Sequence, residues 1–270
     1  MRIRTFSKKL LSQFPLLDGL FRRYVWSRIH FPEIEMRFLN ALQAGSVDVA
    51  VDVGAALGSY SWILNRISKQ VYAFEPGIEH NKYLNRLVFL TNISVIPVAV
   101  GSGCGHVSLY TPGSDSHALH SATLSQDNPV VNSAGISINQ VDQVTLDTFL
   151  ADKLAPGQTV DVLKVDVEGY ELDVFIGAVE ILSNHHPFII CEIEARHNAN
   201  YPEIFIFLKK LGYDCYIYRA GAFELFVEKN IEHLQLEEDL EVRLSSNNNS
   251  KSNRYINNFV FRHPKSRIEV

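Results

Sequence analysis

Asp52-Val53-Gly54-Ala55-Ala56-Leu57-Gly58-Ser59 lies between a β-branched run and an amphipathic stretch. Gly54 lets the chain turn sharply, and Gly58 lets a ligand approach the backbone. A helix opening at Ser59-Tyr60 offers free N–H groups and its positive dipole end to an anion. Asp52, at the end of the preceding strand, is placed to accept from an ammonium. A carboxylate beside a nest of N–H groups suits an amino-acid moiety, which carries both charges. A dinucleotide pyrophosphate calls for G-x-G-x-x-G. Counted from Gly54, that pattern needs glycine at 56 and 59, where Ala56 and Ser59 stand. The missing glycines, and the lack of any Tyr-x-x-x-Lys pair, count against a nicotinamide-dependent sugar-nucleotide oxidoreductase.

Phe74-Glu75-Pro76 ends the next strand. An acid about 20 residues past a ligand loop reaches ribose hydroxyls in nucleoside-binding α/β folds. Further acids fall at strand ends: Asp166 and Glu168 at one, Glu192 and Glu194 at another, with His197 just beyond. In open α/β sheets ligands bind at the carboxyl ends of the strands, so this convergence marks a site. His197 titrates near neutrality and suits a general base. Asp166 or Glu168 would serve if burial raised its pKa, or if it held a hard cation through oxygen. The carboxylates are too few to assert a metal, and His106, His117 and His120 lack convincing ligand spacing.

Placing these groups requires alternating strands and helices. The near-continuous β-branched run Val47–Val53 reads as a strand buried on both faces, and Val160–Val165 reads as a strand. Val71–Phe74, Ile93–Val100 (bent at Pro97), Gly105–Tyr110, Phe188–Ile193, Tyr213–Tyr218, Phe223–Val227 and Asn258–Arg262 read as further strands. Helices are expected over Phe31–Gly45, Ser59–Ile67 with Ser59 as N-cap, Ile78–Leu90, Leu146–Leu154 with Thr145 as cap, Leu172–Leu182 and Tyr201–Leu211. This order predicts a doubly wound, mostly parallel sheet that closes in an antiparallel hairpin at its edge. Residues 111–140 read as a long irregular loop. With His117, His120, Ser121 and Thr123 it would make an acceptor-binding lid.

The chain of 270 residues, 46% apolar, is long enough to bury a core without disulfides or metals. Its formal charge of −5 gives no basic excess for nucleic acid. Cys104, Cys191 and Cys215 are odd in number and widely spaced, which fits a reducing compartment. Ser12, Gln13, Pro15 and Asp18 interrupt the first apolar stretch, so it fails as a signal peptide and a cytoplasmic protein is expected. Residues 1–45 are expected to form a basic helical extension, ahead of a catalytic domain over 46–270 with a polar linker near 245–253. The basic, amphipathic residues 1–30 would pack on the domain, lie on the inner face of a membrane, or dock a partner such as a glycosyltransferase.

The ordered motifs DVGAALGSYS (52–61), AFEP (73–76), AVGSGCGHVSL (99–109), TLDTFL (145–150), LKVDVEGYELDVFIGA (163–178) and PFIICEIE (187–194) resemble the FkbM family of methyltransferases. The resemblance extends over about residues 47–228 and the strand at NNFVF (257–261). It implies a class I, Rossmann-like fold with a seven-stranded sheet, S-adenosylmethionine as cofactor, and methylation of an oxygen on a sugar or surface glycan. On that basis Asp52, Gly54, Ala55, Gly58, Ser59, Tyr60, Phe74, Glu75, Pro76, Ala99 and Val100 would hold the cofactor. Asp166, Glu168 and His197 would serve the chemistry. The chain departs from the family at Ala56, where Asn is frequent, and at Ser102, where an acid is frequent. A non-catalytic cofactor-binding subunit of a glycan assembly complex is the further alternative.

Overall fold

Val49, Val51 and Val53 of strand β1 (Val47–Val53) pack into one hydrophobic cluster, and Val47 and Ala50 into a second. A strand covered on both faces favours apolar residues at nearly every position, which explains the β-branched run around Asp48 and Asp52. The computed structural model describes residues 34–86, 88, 91–113, 122–132, 135–219, 221–227, 230–239 and 255–270. The contacts expected of residues 1–30, the 245–253 linker, and His117, His120 and Ser121 lie outside the described residues.

The chain enters through helix α1 (Ile34–Ala41), shorter than the 31–45 expected, then β1. There follow α2 (Ser59–Ile67), β2 (Ser68–Phe74), α3 (Ile78–Leu84), β3 (Ile93–Ile96), β4 (Ala99–Val100) and β5 (Gly105–Thr111). Next come β6 (Ser137–Val144), α4 (Leu146–Ala151), β7 (Val160–Val165), α5 (Glu171–Ile176), α6 (Val179–Asn184) and β8 (Phe188–Glu192). The last elements are α7 (Pro202–Lys210), β9 (Asp214–Arg219), β10 (Ala222–Phe226) and β11 (Asn258–Arg262).

Among the described residues the main sheet has eight strands in the order β10-β9-β11-β8-β7-β1-β2-β3. β1 pairs in parallel with β2 and β7, β2 with β3, and β7 with β8. The order runs outward from β1 in both directions, so the strand ends at β1 and its neighbours form a crevice. β9 and β10 make the antiparallel edge hairpin. β11 is not at the edge. It inserts between β8 and β9, antiparallel to both. Phe259 and Phe261 of β11 are buried at 0% and 1% exposure. The sheet therefore holds one strand more than the seven expected.

Four local differences have clear causes. Pro97 does more than bend a strand: it ends β3, and β4 leaves for a second sheet of order β4-β6-β5. β6 occupies part of the segment expected to be irregular. Its sequence SINQVDQV is mostly exposed and carries little apolar alternation. The helix expected over 172–182 breaks into α5 and α6 at Gly177, where an added Cβ would stand 2.0 Å from the Gly101 carbonyl oxygen. The N-cap of α2 is Gly58 (φ +89°), with no side-chain cap, rather than Ser59. Thr145 does cap α4, its side chain accepting from the Thr148 N–H. Among the described residues no helix is long and apolar enough to cross a membrane.

Candidate active site

A cleft of about 220 Å³ opens at the carboxyl ends of β1, β2, β7 and β8. Two backbone turns form its floor. Gly54 (φ +78°) turns the chain after β1, and an added Cβ there would stand 1.8 Å from the Asp166 carbonyl oxygen. The Asp166 N–H in turn donates to the Val53 carbonyl at 3.0 Å. The loops after β1 and β7 are thus packed backbone to backbone, which only glycine at 54 permits.

Glu75, buried at the end of β2, lines the cleft. Its Oε2 accepts from the Ala56 N–H at 2.9 Å and its Oε1 from the Gly77 N–H at 2.7 Å. His80 Nδ1 stands 3.4 Å from Oε1. Asn81 braces this turn by donating through Nδ2 to the Glu75 carbonyl at 2.6 Å and the Gly77 carbonyl at 3.0 Å. The carboxylate is therefore held by two loops at once, with unused lone pairs left for a ligand hydroxyl. Ala56 sits at φ +46°, a region that Asn tolerates better than Ala.

Of the residues expected at the cofactor, Gly54, Phe74, Glu75, Pro76, Ala99 and Val100 line the cleft. Asp52, Ala55, Gly58, Ser59 and Tyr60 are not among its lining residues. Asp52 is 1% exposed and accepts a hydrogen bond from the Ser61 hydroxyl of α2. Burial pushes its pKa up to about 6, against the pull of Ser61 and the buried Lys164 ammonium. It is a buried tie to α2 rather than an open acceptor for an ammonium. Lys164 is 1% exposed, with its Nζ 3.5 Å from Asp166 Oδ2 and 4.8 Å from the centre of the Tyr60 ring.

Asp166 and Glu168 both line the cleft. Glu168 sits at φ +53°, a strained position for a side-chain-bearing residue. Its carbonyl is held by the Thr123 hydroxyl and the Asn128 amide, each at 2.7 Å. Its carboxylate Oε2 stands 2.6 Å from His197 Nδ1. His197 lies behind Glu168 and is not among the lining residues. Its other nitrogen is 3.7 Å from Glu194 Oε2, and Arg196 pairs with the same Glu194. Burial raises the Glu168 pKa, against the pull of His197. Burial also disfavours charged His197, but the hydrogen bond and charge of Glu168 outweigh it and hold the imidazole above its usual range.

Several residues at or beside the site were not expected there, among them Ala56, His80, Asn257 and Glu171. Ala56 and His80 line the cleft. Asn257, next to β11, donates through Nδ2 to Glu192 and, at 3.2 Å, to Glu194, bringing together the acid that ends β8 and the acid two residues beyond it. Glu171, 3% exposed, accepts from the Gly169 N–H at 2.7 Å, and burial pushes its pKa up to about 7. Asn257 lies within the NNFVF segment, which marked a strand but no polar role. Glu171 reads as an ordinary helix-start acid, with no sign of burial. Ser102 is exposed and donates to Asp173 at 2.7 Å, outside the cleft lining.

A mostly parallel sheet winding both ways from β1, with an antiparallel strand inserted beside the hairpin and a cleft at its carboxyl edge, defines a class I methyltransferase fold. Residues 52–215 match the Methyltransferase FkbM domain. The chain belongs to that family. It is 28% identical over 158 residues to the hexuronic acid methyltransferase AglP of Haloferax volcanii, a match spanning 57% of this chain and 59% of that protein. Among solved structures, it is similar to an FkbM methyltransferase from Methylobacillus flagellatus KT at 16% identity, covering 82% of this chain and 45% of that one with a TM-score of 0.47. SMU.1697c of Streptococcus mutans, crystallised in complex with SAH, is 11% identical, covering 86% and 97% of the two chains with a TM-score of 0.44.

Proposed function

We propose that this chain is an S-adenosylmethionine-dependent O-methyltransferase acting on a hydroxyl of a sugar or glycan. One observation carries the reading: Glu168, paired with His197, lines the same cleft as Glu75. The cleft's residues fit the cofactor. Glu75 would take the ribose hydroxyls, Val98, Ala99 and Val100 would wall the purine, and the backbone at Gly54 and Ala56 would follow the chain between them. When bound, S-adenosylmethionine supplies an electrophilic methyl group.

The chain's own residues then do three things. The loops at Gly54 and Asp166 fix the floor of the cleft, and such positioning can supply as much as about 7–11 kcal/mol. Glu168 accepts the proton of the acceptor hydroxyl, a general-base role worth roughly 10²–10⁴-fold. His197, held between Glu168 and Glu194, orients the Glu168 carboxylate and stabilises its charge. Asp166 adds negative charge beside the cleft and is partly balanced by Lys164. The likeness to a hexuronic acid methyltransferase supports a saccharide acceptor.

Isothermal titration with S-adenosylmethionine, S-adenosylhomocysteine and NADH tests the reading. Micromolar binding of the first two, lost in Glu75→Ala, is the expected result. Binding of NADH in their place, or of none of the three, overturns it.

A further inference from the structure

Beside the cleft lies a second groove of about 520 Å³ with a polar lining. The two meet at the Glu168–Gly169 step and share Leu124: Glu168 lines the cleft and Gly169 the groove. We infer that this groove is the acceptor subsite and that it takes an uncharged, hydroxyl-rich sugar unit. The inference rests on the methyl-transfer reading and adds the class of sugar and its place.

Three observations carry it. The first is continuity. A sugar lying in the groove has its inner end at Gly169, one residue from the proposed base. The second is chemistry. Ser108, Gln126, Asn198 and Asn200 offer hydroxyl and amide groups of both polarities, and the half-buried Tyr170 ring offers an apolar face to sugar C–H groups. The third is charge. Asp127 and Asp173 line the groove, and among the described lining residues there is no lysine or arginine. His106, also in the lining, is paired with Asp142 at 2.8 Å. A sugar carboxylate would meet two like charges and lose water without gaining a strong cationic partner, so the groove rejects it. The selection thus differs from the one in the name of the hexuronic acid relative.

The walls are also tied to the base. Thr123 and Asn128, which bracket the wall at 124–127, both bond the Glu168 carbonyl. An added Cβ on Gly169 would stand 2.7 Å from the His197 carbonyl oxygen, so the groove floor and the Glu168–His197 pair cannot move independently.

The test is saturation-transfer NMR on the full chain with methyl glucoside, methyl mannoside, maltotriose and mannotriose, against methyl glucuronoside. It uses the wild type, Asp127→Lys and Tyr170→Ala. Asp127 is exposed, so its replacement leaves the core intact. At least one neutral glycoside should bind five-fold or more tightly than the glucuronoside. Asp127→Lys should narrow or invert that ratio, and Tyr170→Ala should weaken the neutral ligand at least three-fold. Preference for the glucuronoside in the wild type, no binding by any neutral glycoside, or a ratio unmoved by Asp127→Lys overturns the inference. A parallel titration with S-adenosylhomocysteine reports separately on the methyl-transfer reading, because glycoside signals do not depend on it.

Discussion

Glu168 Oε2 and His197 Nδ1 stand 2.6 Å apart, one residue from the loop after β7 and the other from the loop after β8. Neighbouring parallel strands end side by side, so residues distant in sequence meet here. Glu194 lies on the far side of the ring, so His197 stands between two acids that favour its charged form against burial. Glu168 lines the cleft and His197 stands behind it, which fits the roles of base and orienting partner proposed for them.

The histidine's titration should reveal this pairing. In the wild type, ¹⁵N NMR of the His197 ring should show protonation persisting above the ordinary histidine range, near 6.5. In Glu168→Gln the hydrogen bond to a charge is lost and burial acts with less opposition, so the pKa should fall. An unchanged or higher value would contradict the pairing.

Glu171 gives a stability signature of definite sign. Its folded-state pKa is raised from 4.5 to about 7, so its contribution to stability is fully present below pH 4.5 and is lost as pH rises through 7. Glutamine copies the protonated acid and keeps an oxygen for the Gly169 N–H. Glu171→Gln should match the wild type near pH 4.5 and exceed it near pH 8.5, by up to about 3 kcal/mol at 1.36 kcal/mol per pH unit. Chemical denaturation at the two pH values checks this, and a gap that does not widen with pH refutes it.

Ala56 is strained where it stands. A left-handed backbone disfavours alanine by roughly 1 kcal/mol, and Asn relieves part of this. Ala56→Asn should therefore raise the melting temperature by about 1–2 °C at this chain size. The Ala56 N–H bond to Glu75 survives the change, so affinity for S-adenosylhomocysteine should not fall. Calorimetry and titration together read both effects.

Gly54→Ala should do the opposite. The new Cβ collides with backbone, which cannot swing aside as a flexible side chain would, and φ is unfavourable as well. Overpacking and strain together should remove at least about 3 kcal/mol. If the variant folds, its binding of S-adenosylhomocysteine should be impaired, since Asp166 must shift. Normal stability by thermal melting would show that the two loops are not packed as described.

The sequence disclosed the frame of the site better than its details. Val47–Val53 and Val160–Val165 are legible because burial on both faces leaves runs rich in valine, broken only by a few charged residues. The acids at 75, 166, 168, 192 and 194 are legible because such strands end abruptly in charge. Asp52 misled because its type and position fit a ligand contact. Which face of β1 carries its side chain depends on the sheet's two-sided packing, and that face lies beneath α2 with Ser61. β6 was invisible because an exposed strand on a small second sheet needs no apolar alternation. Asn128 and Asn257 were invisible too, since each acts on a segment far away in the chain.

The placement of β11 has a consequence for how the molecule is made. Until that strand is in place, β8 and β9 have no partner along their facing edges, and the middle of the sheet has a gap. Asn257 arrives with the same strand and ties Glu192 to Glu194. During synthesis β11 must therefore leave the ribosome before sheet and site can close together. A nascent chain stalled before β11 would display two open strand edges, which invite chaperones and proteases, and would lack the Asn257 tie between Glu192 and Glu194.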